Sequence, residues 1–141
     1  TVKGIRHEDV ECLSFPAESC DLIVSNDVLE HVVNPADALK EASRVLRPKG
    51  VLLMTVPFFL GESKSVRRAG VRNGKLEHML PPVYHGNPVS DEGSLVFTDF
   101  GWDFLNDIHQ AGFADARLHF YWSEVYGHLG VGQHYICAVK N

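Results

Sequence analysis

Asn26, Asp27, Glu30 and His31 fall within six positions of one another, directly after the apolar run DLIVS at residues 21–25. Carboxylates and an imidazole in that setting can move a proton, hold a cation or form the edge of a ligand cleft. The i, i+3, i+4 spacing of Asp27, Glu30 and His31 puts all three on one face if the turn is helical. The plainer alternative is local: Asn26 and Asp27 cap a helix or build a turn, Glu30 pairs nearby, and His31 packs beneath a sheet. A second group lies further along. His78, Tyr84 and His85 sit in an irregular stretch, where His78 or His85 could take a proton near neutral pH or simply be solvated. Lys64, Arg67, Arg68, Arg72 and Lys75 form a run of five cations with no acid between them. Such a run either solvates a loop or recognises a carboxylate or phosphate, with Arg67, Arg68 and Tyr84 as the substrate-binding candidates.

These groups need elements to position them. Residues 21–25 and 51–56 (VLLMTV) are continuous and aliphatic, as in parallel strands covered on both faces. Between them the spacing predicts a helix over 35–47, with Asn34 as N-cap and Pro35 in the first turn. Its apolar stripe is Ala38, Leu39, Ala42, Val45 and Leu46, and Pro48 with Gly50 ends it. The unit is a right-handed β-α-β crossover. A second helix is expected over about 99–111, burying Phe104, Leu105 and Ile108, followed by strands at 115–121 and 133–139. Trp102, Phe104 and Phe113 are expected in the core. The glycine cluster GHLGVG at 127–132 precedes a strand instead of following one, which favours a turn over a nucleotide loop. Residues 57–97 show no clear periodicity and are expected to form a lid or substrate-binding insertion.

Composition bounds the classes. A chain of 141 residues suits one domain able to bury about two-thirds of its unfolded surface. Hydrophobic residues at 45% and charged residues at 22% argue against disorder. No apolar run approaches the roughly 20 residues needed to cross a bilayer, so a cytoplasmic protein with no membrane contact is expected. A formal charge of -5 opposes general nucleic-acid binding. Cys12, Cys20 and Cys137 have no CxxC spacing, as expected of free thiols in a reducing compartment.

The stretch from Asp21 to Pro57 carries a resemblance. Its order of strand, polar turn, LEHV, proline-started helix, RVLRPKG and strand ending in proline resembles the class I S-adenosylmethionine-dependent methyltransferases, whose pattern is DxIxxxxVLEHxxxPxxxLxExxRVLxPGG. The resemblance implies an α/β, Rossmann-like fold with sheet order 3-2-1-4-5-7-6 and the cofactor at the switch point. The segments at 21–25, 51–56, 115–121 and 133–139 match strands 4, 5, 6 and 7, and residues 2–6 match the remains of strand 3. The expectation is therefore the second half of such a domain, a mostly parallel sheet with an antiparallel last strand. Upstream, HEDVECLSFP matches the family segment that meets adenine, so Asp9 and Val10 are the adenine positions. Asn26 and Asp27 match the methyl-transfer end, with Asp27, His78 and His85 the catalytic candidates. The implied cofactor is S-adenosylmethionine, the product S-adenosylhomocysteine, and the acceptor a small, anionic or saccharide-like molecule. Some ubiquinone-pathway O-methyltransferases carry a metal-binding set similar to Asp27, Glu30 and His31, although metal independence is the primary expectation. Nucleic-acid methylation is disfavoured, because SNDV stands where the NPPY-type motif would be. Strand 4 without strand 1 would leave a free edge, so a homodimer paired through that edge is expected. The alternative function is a non-catalytic fragment acting as a dimerisation module.

Overall fold

The computed structural model describes residues 4, 6–87 and 90–141. The chain runs β1 (Cys20–Asn26), a 3-10 turn (Leu29–His31), α1 (Pro35–Val45) and β2 (Leu46–Thr55). The segment after it holds β3 (Val66–Arg67), β4 (Ala69–Arg72), β5 (Lys75–His78), β6 (Tyr84–Asn87), β7 (Ser90–Leu95) and β8 (Thr98–Asp99). It closes with α2 (Phe104–Gln110), β9 (Phe113–Ser123) and β10 (His128–Lys140).

The main sheet has the order β1-β2-β10-β9. This is the order expected of strands 4, 5, 7 and 6. In this sheet β1, β2 and β9 share one direction and the last strand, β10, runs antiparallel to both β2 and β9, as expected; the antiparallel ribbons of the insertion make the whole more mixed. Insertion of β10 between two strands of the opposite direction makes two of the three ladders antiparallel. Rows of side chains cross the sheet in register. Ile23, Leu52, Ala138 and Ala116 form one inward row, and Met54, Ile136 and Leu118 another. These rows meet Leu39, Ala42, Phe104 and Ile108, which are all buried.

Both helices lie on that one face, with α1 against β2, α2 against β9, and α1 touching α2. The expectation that β1 is covered on both faces therefore fails. Leu22 is 54% and Val24 59% exposed, because no described element packs on the second face or along the outer edge of β1.

Several boundaries also move. The first helix stops at Val45 and β2 begins at Leu46, so Pro48 and Gly50 lie in the start of a strand. Lys49 takes a left-handed φ of 66°, and the β1–β2 register shifts between Cys20 and Leu22. Arg47 pairs with Asp21 at 2.7 Å. Asn34 is the N-terminal cap residue, but its side chain donates to the Asp37 carboxylate and caps no backbone N–H. The second helix begins only at Phe104, since Thr98 and Asp99 pair with Val66 and Arg67. Phe104 and Phe113 are core as expected. Trp102 is not; it is 43% exposed, and its indole N–H donates to the Leu60 carbonyl at 2.9 Å.

The insertion is built from three two-stranded ribbons, β3–β8, β4–β5 and β6–β7. In β4–β5 the two loop residues Asn73 and Gly74 have φ of 52° and 73°, the pair of left-handed conformations a tight hairpin requires. Of the residues matched to strand 3, 2, 3 and 5 lie outside the described ones. The GHLGVG segment is divided between a turn ending at Gly127 and the first part of β10. The core rests on α1, and Leu39 is 1% exposed. Leu39→Ala is expected to cost about 2–5 kcal/mol in urea denaturation, and a loss well below 1 kcal/mol would contradict this packing.

Candidate functional site

The parallel strands β1 and β2 end side by side, with Asn26 opposite Thr55. Asp27 then turns out of the sheet with φ 48°, a left-handed conformation that Asp tolerates better than most residues. Its N–H donates to the Thr55 carbonyl at 3.1 Å, and the Thr55 hydroxyl donates to the Asp27 carboxylate at 3.1 Å. Two neighbouring hollows open at this point. Along the free edge of β1 lies an apolar one of about 210 Å³, whose walls include Val10, Ile23, Asn26, Leu29 and Leu39. Beyond the strand ends lies a polar cleft of about 460 Å³. Asp27 and Thr55 form its floor, His31 and His85 one wall, and Tyr121, Gln133 and His134 the other. Asp9 and Val10 line a third, shallower groove with Val28 and His31.

The insertion reaches this cleft because it is tied back to the 3-10 turn. Phe97 N–H donates to the Glu30 carbonyl at 2.7 Å, and His31 Nδ1 lies 2.8 Å from the Leu95 carbonyl. A carbonyl only accepts, so Nδ1 carries the proton and, in the neutral ring, Nε2 carries the lone pair. Glu30 stands behind both. It is 0% exposed, and among the described residues neither carboxylate oxygen has a hydrogen-bond partner. His31 Nε2 and His85 Nδ1 approach Glu30 Oε1 at 3.6 and 3.5 Å, and the two imidazoles meet edge to face at 5.0 Å. Burial raises the Glu30 pKa, Asp27 adds to the rise and the two imidazoles oppose it.

A family model described as a methyltransferase domain matches residues 2–54. A Mycolicibacterium smegmatis protein named "Probable S-adenosylmethionine-dependent methyltransferase" is 42% identical over 53 residues, which are 38% of this chain and 21% of that protein. The chain thus spans about a fifth of that relative's length. An S-adenosylmethionine-dependent methyltransferase structure from Mesorhizobium loti superposes with a TM-score of 0.59 at 14% identity, over 94% of this chain and 67% of that one. One from Thermotoga maritima gives 0.53 at 16% identity, over 94% and 61%. Residues 2–54 thus match a methyltransferase-domain family, and the chain has the fold of S-adenosylmethionine-dependent methyltransferases of known structure.

Within this methyltransferase fold the sequence-derived residues separate. Val10 and Asn26 share the apolar hollow, and Asp27 and His85 share the polar cleft. Asp9 is exposed, and its carboxylate accepts from the Glu11 N–H at 2.9 Å in a local turn. His78 is exposed on β5, and Tyr84 is 53% exposed; neither lines the cleft. Arg67 donates to Thr98 Oγ1 at 2.9 Å and to the Val33 carbonyl, and burial lowers its pKa. Arg68 pairs with Asp99 at 2.6 Å and donates to the Pro81 carbonyl at 3.0 Å. Both arginines fasten the insertion and lie outside the cleft. The expected trio also changes: Glu30 and His31 are joined by His85, while Asp27 turns to Thr55. Thr55, Tyr121, Gln133 and His134 were missed. Their only sequence signal is position, near the end of one predicted strand and within the two predicted at 115–121 and 133–139.

No described helix is long and apolar enough to cross a membrane. A raised folded-state pKa makes the native protein hold the Glu30 proton more tightly than the unfolded chain does. The group thus favours folding below its unfolded value of about 4.3 and loses that contribution as pH rises through the folded value. In chelator-treated protein Glu30→Gln is expected to melt higher than the parent at pH 8, with the gap closing toward pH 4. A gap independent of pH would contradict this account of Glu30.

Proposed function

We propose that the chain supplies the strand 4 to strand 7 part of a methyltransferase domain that moves a methyl group from S-adenosylmethionine to a small-molecule or saccharide-like acceptor. One observation carries this: an apolar hollow and a polar cleft adjoin at the carboxyl ends of a parallel strand pair, with Asn26 and Asp27 between them. Crevices of this kind, outside strand carboxyl ends, are where open α/β sheets bind ligands. Val10, with Asp9 at the rim, would contact adenine, and Asn26 with Asp27 would line the methyl-transfer end.

Methyl transfer is an in-line displacement. The acceptor's lone pair forms the new bond to carbon as the carbon–sulfur bond breaks, and the sulfonium leaves as a neutral thioether. The protein contributes mainly position, and where the acceptor loses a proton it needs a group to receive it. Asp27 is held toward the cleft by Thr55 and can receive that proton, while His85 forms the wall beside the incoming acceptor. The cleft's polar lining, with three histidines, a tyrosine and a glutamine, suits a hydroxylated or anionic small molecule. Three free cysteines suit a reducing, cytoplasmic setting.

The exposed edge of β1, with Leu22 and Val24, would be covered if two copies paired along it. Calorimetric titration of S-adenosylhomocysteine, with sedimentation of the same sample, tests both statements. Saturable binding that Asn26→Ala weakens at least tenfold is expected, and ligand at a hundred times its Kd should add about 2.7 kcal/mol to the folded state. A dimer that Val24→Lys converts to a monomer is expected alongside it. Absence of binding at millimolar ligand would overturn the cofactor cleft in this chain, and a monomeric parent would overturn the pairing.

A further inference from the structure

Glu30 is a buried carboxylate whose two oxygens have no hydrogen-bond partner among the described residues. A carboxylate sealed from water and left without a hydrogen bond is a strong penalty unless a cation neutralises it. Two imidazole nitrogens approach its Oε1, His31 Nε2 at 3.6 Å and His85 Nδ1 at 3.5 Å. Those separations are too long for hydrogen bonds. They fit another geometry: an ion bonded at about 2.0–2.2 Å to two ligands at the tetrahedral angle holds them roughly 3.3–3.6 Å apart.

We propose that Glu30, His31 and His85 bind one divalent first-row transition ion in the wall of the polar cleft. Their ligand atoms all lie within 4.8 Å of one another. His31 is prepared for the role, since its Nδ1–H is engaged by the Leu95 carbonyl at 2.8 Å. Such a second contact fixes the tautomer and presents Nε2 to the metal. His85 comes from a different element, β6, and is held by its ribbon. Gly93 in β7 allows this approach: it has φ +78°, and a Cβ there would sit 2.6 Å from the His85 carbonyl oxygen. Glu30 supplies the negative charge from the 3-10 turn.

One carboxylate and two imidazoles favour zinc, manganese, iron, cobalt or nickel over magnesium and calcium, which prefer all-oxygen surroundings. Three protein ligands leave a position open, as in catalytic sites. His31 and His85 both line the cleft, so the open position faces the space that water or an acceptor oxygen would enter. Asp27 is outside this set, because its carboxylate is hydrogen-bonded to Thr55.

Titration of chelator-treated protein with Zn²⁺ by calorimetry and with Co²⁺ by visible absorption tests the site. One equivalent at micromolar affinity, with cobalt d–d bands of a nitrogen- and oxygen-ligated ion, is expected. Glu30→Gln and His85→Ala should each weaken binding by more than about a hundredfold, beyond what loss of a mere supporting contact costs. His78→Ala, on the exposed β5, should change nothing. His85 is half-buried, so His85→Ala keeps the test readable if Glu30→Gln fails to fold. Unchanged affinity in the folded variants, loss of binding in His78→Ala, or no saturable binding at micromolar ion would overturn the proposal. The titration reads the ion alone, so its failure is distinguishable from failure to bind S-adenosylhomocysteine.

Discussion

Two hydrogen bonds set the shape of the cleft: Phe97 N–H to the Glu30 carbonyl and His31 Nδ1–H to the Leu95 carbonyl. They fasten the far end of the insertion to the turn that follows β1. Closing a loop of some forty residues costs entropy that grows only slowly with length, so a few well-placed contacts can hold it. The contacts have a chemical consequence. Drawing β7 over the turn brings β6 with it, seals Glu30 from solvent and sets His85 beside His31. The burial that makes Glu30 a liability is thus the same burial that gives the cleft its shape. Residues at functional sites often trade stability in this way.

The sheet divides the work between rigid and yielding parts. On the side of α1 and α2, Ile23, Leu52, Met54, Ile136 and Ala138 are packed in register with the helices, and the strand ends carrying Asn26, Asp27 and Thr55 inherit that rigidity. Of the ribbons, β6 alone reaches the cleft, through His85 and Gly86. Residues 71–80 of β4, β5 and their flanks lie outside it and are all exposed, and segments with so few buried contacts open at low cost.

Much of the central unit was legible in the sequence because local signals and burial agreed there. Pro35, the stripe through Leu39 and Ala42, and the aliphatic runs on either side specify one strand-helix-strand unit with one strand order. Where the signals conflicted, tertiary packing decided. Thr98 and Asp99 look like a helix start but pair with Val66 and Arg67, and Leu46 continues a helical stripe yet opens β2. DLIVS reads as a strand buried on both faces, although burial depends on neighbours that periodicity cannot supply. The insertion was less legible for a different reason. Asn73-Gly74 is a strong hairpin signal that was available, whereas the docking of β7 on the 3-10 turn depends on backbone groups, which carry no residue-type signature. His85 therefore could be singled out as a candidate, but its meeting with Glu30 could not. Arg67 and Arg68 misled for the converse reason, since a cation run in sequence does not show that its charges are already engaged.

The most direct measurement is the protonation state of the His31 ring, read from its two ¹⁵N shifts by long-range nitrogen–proton correlation at neutral pH. A proton held on Nδ1 is the expected result, because only a protonated Nδ1 can donate to the Leu95 carbonyl. An unprotonated Nδ1, or shifts averaged as in a solvated histidine, would contradict the tie between the insertion and the turn, and with it the cleft.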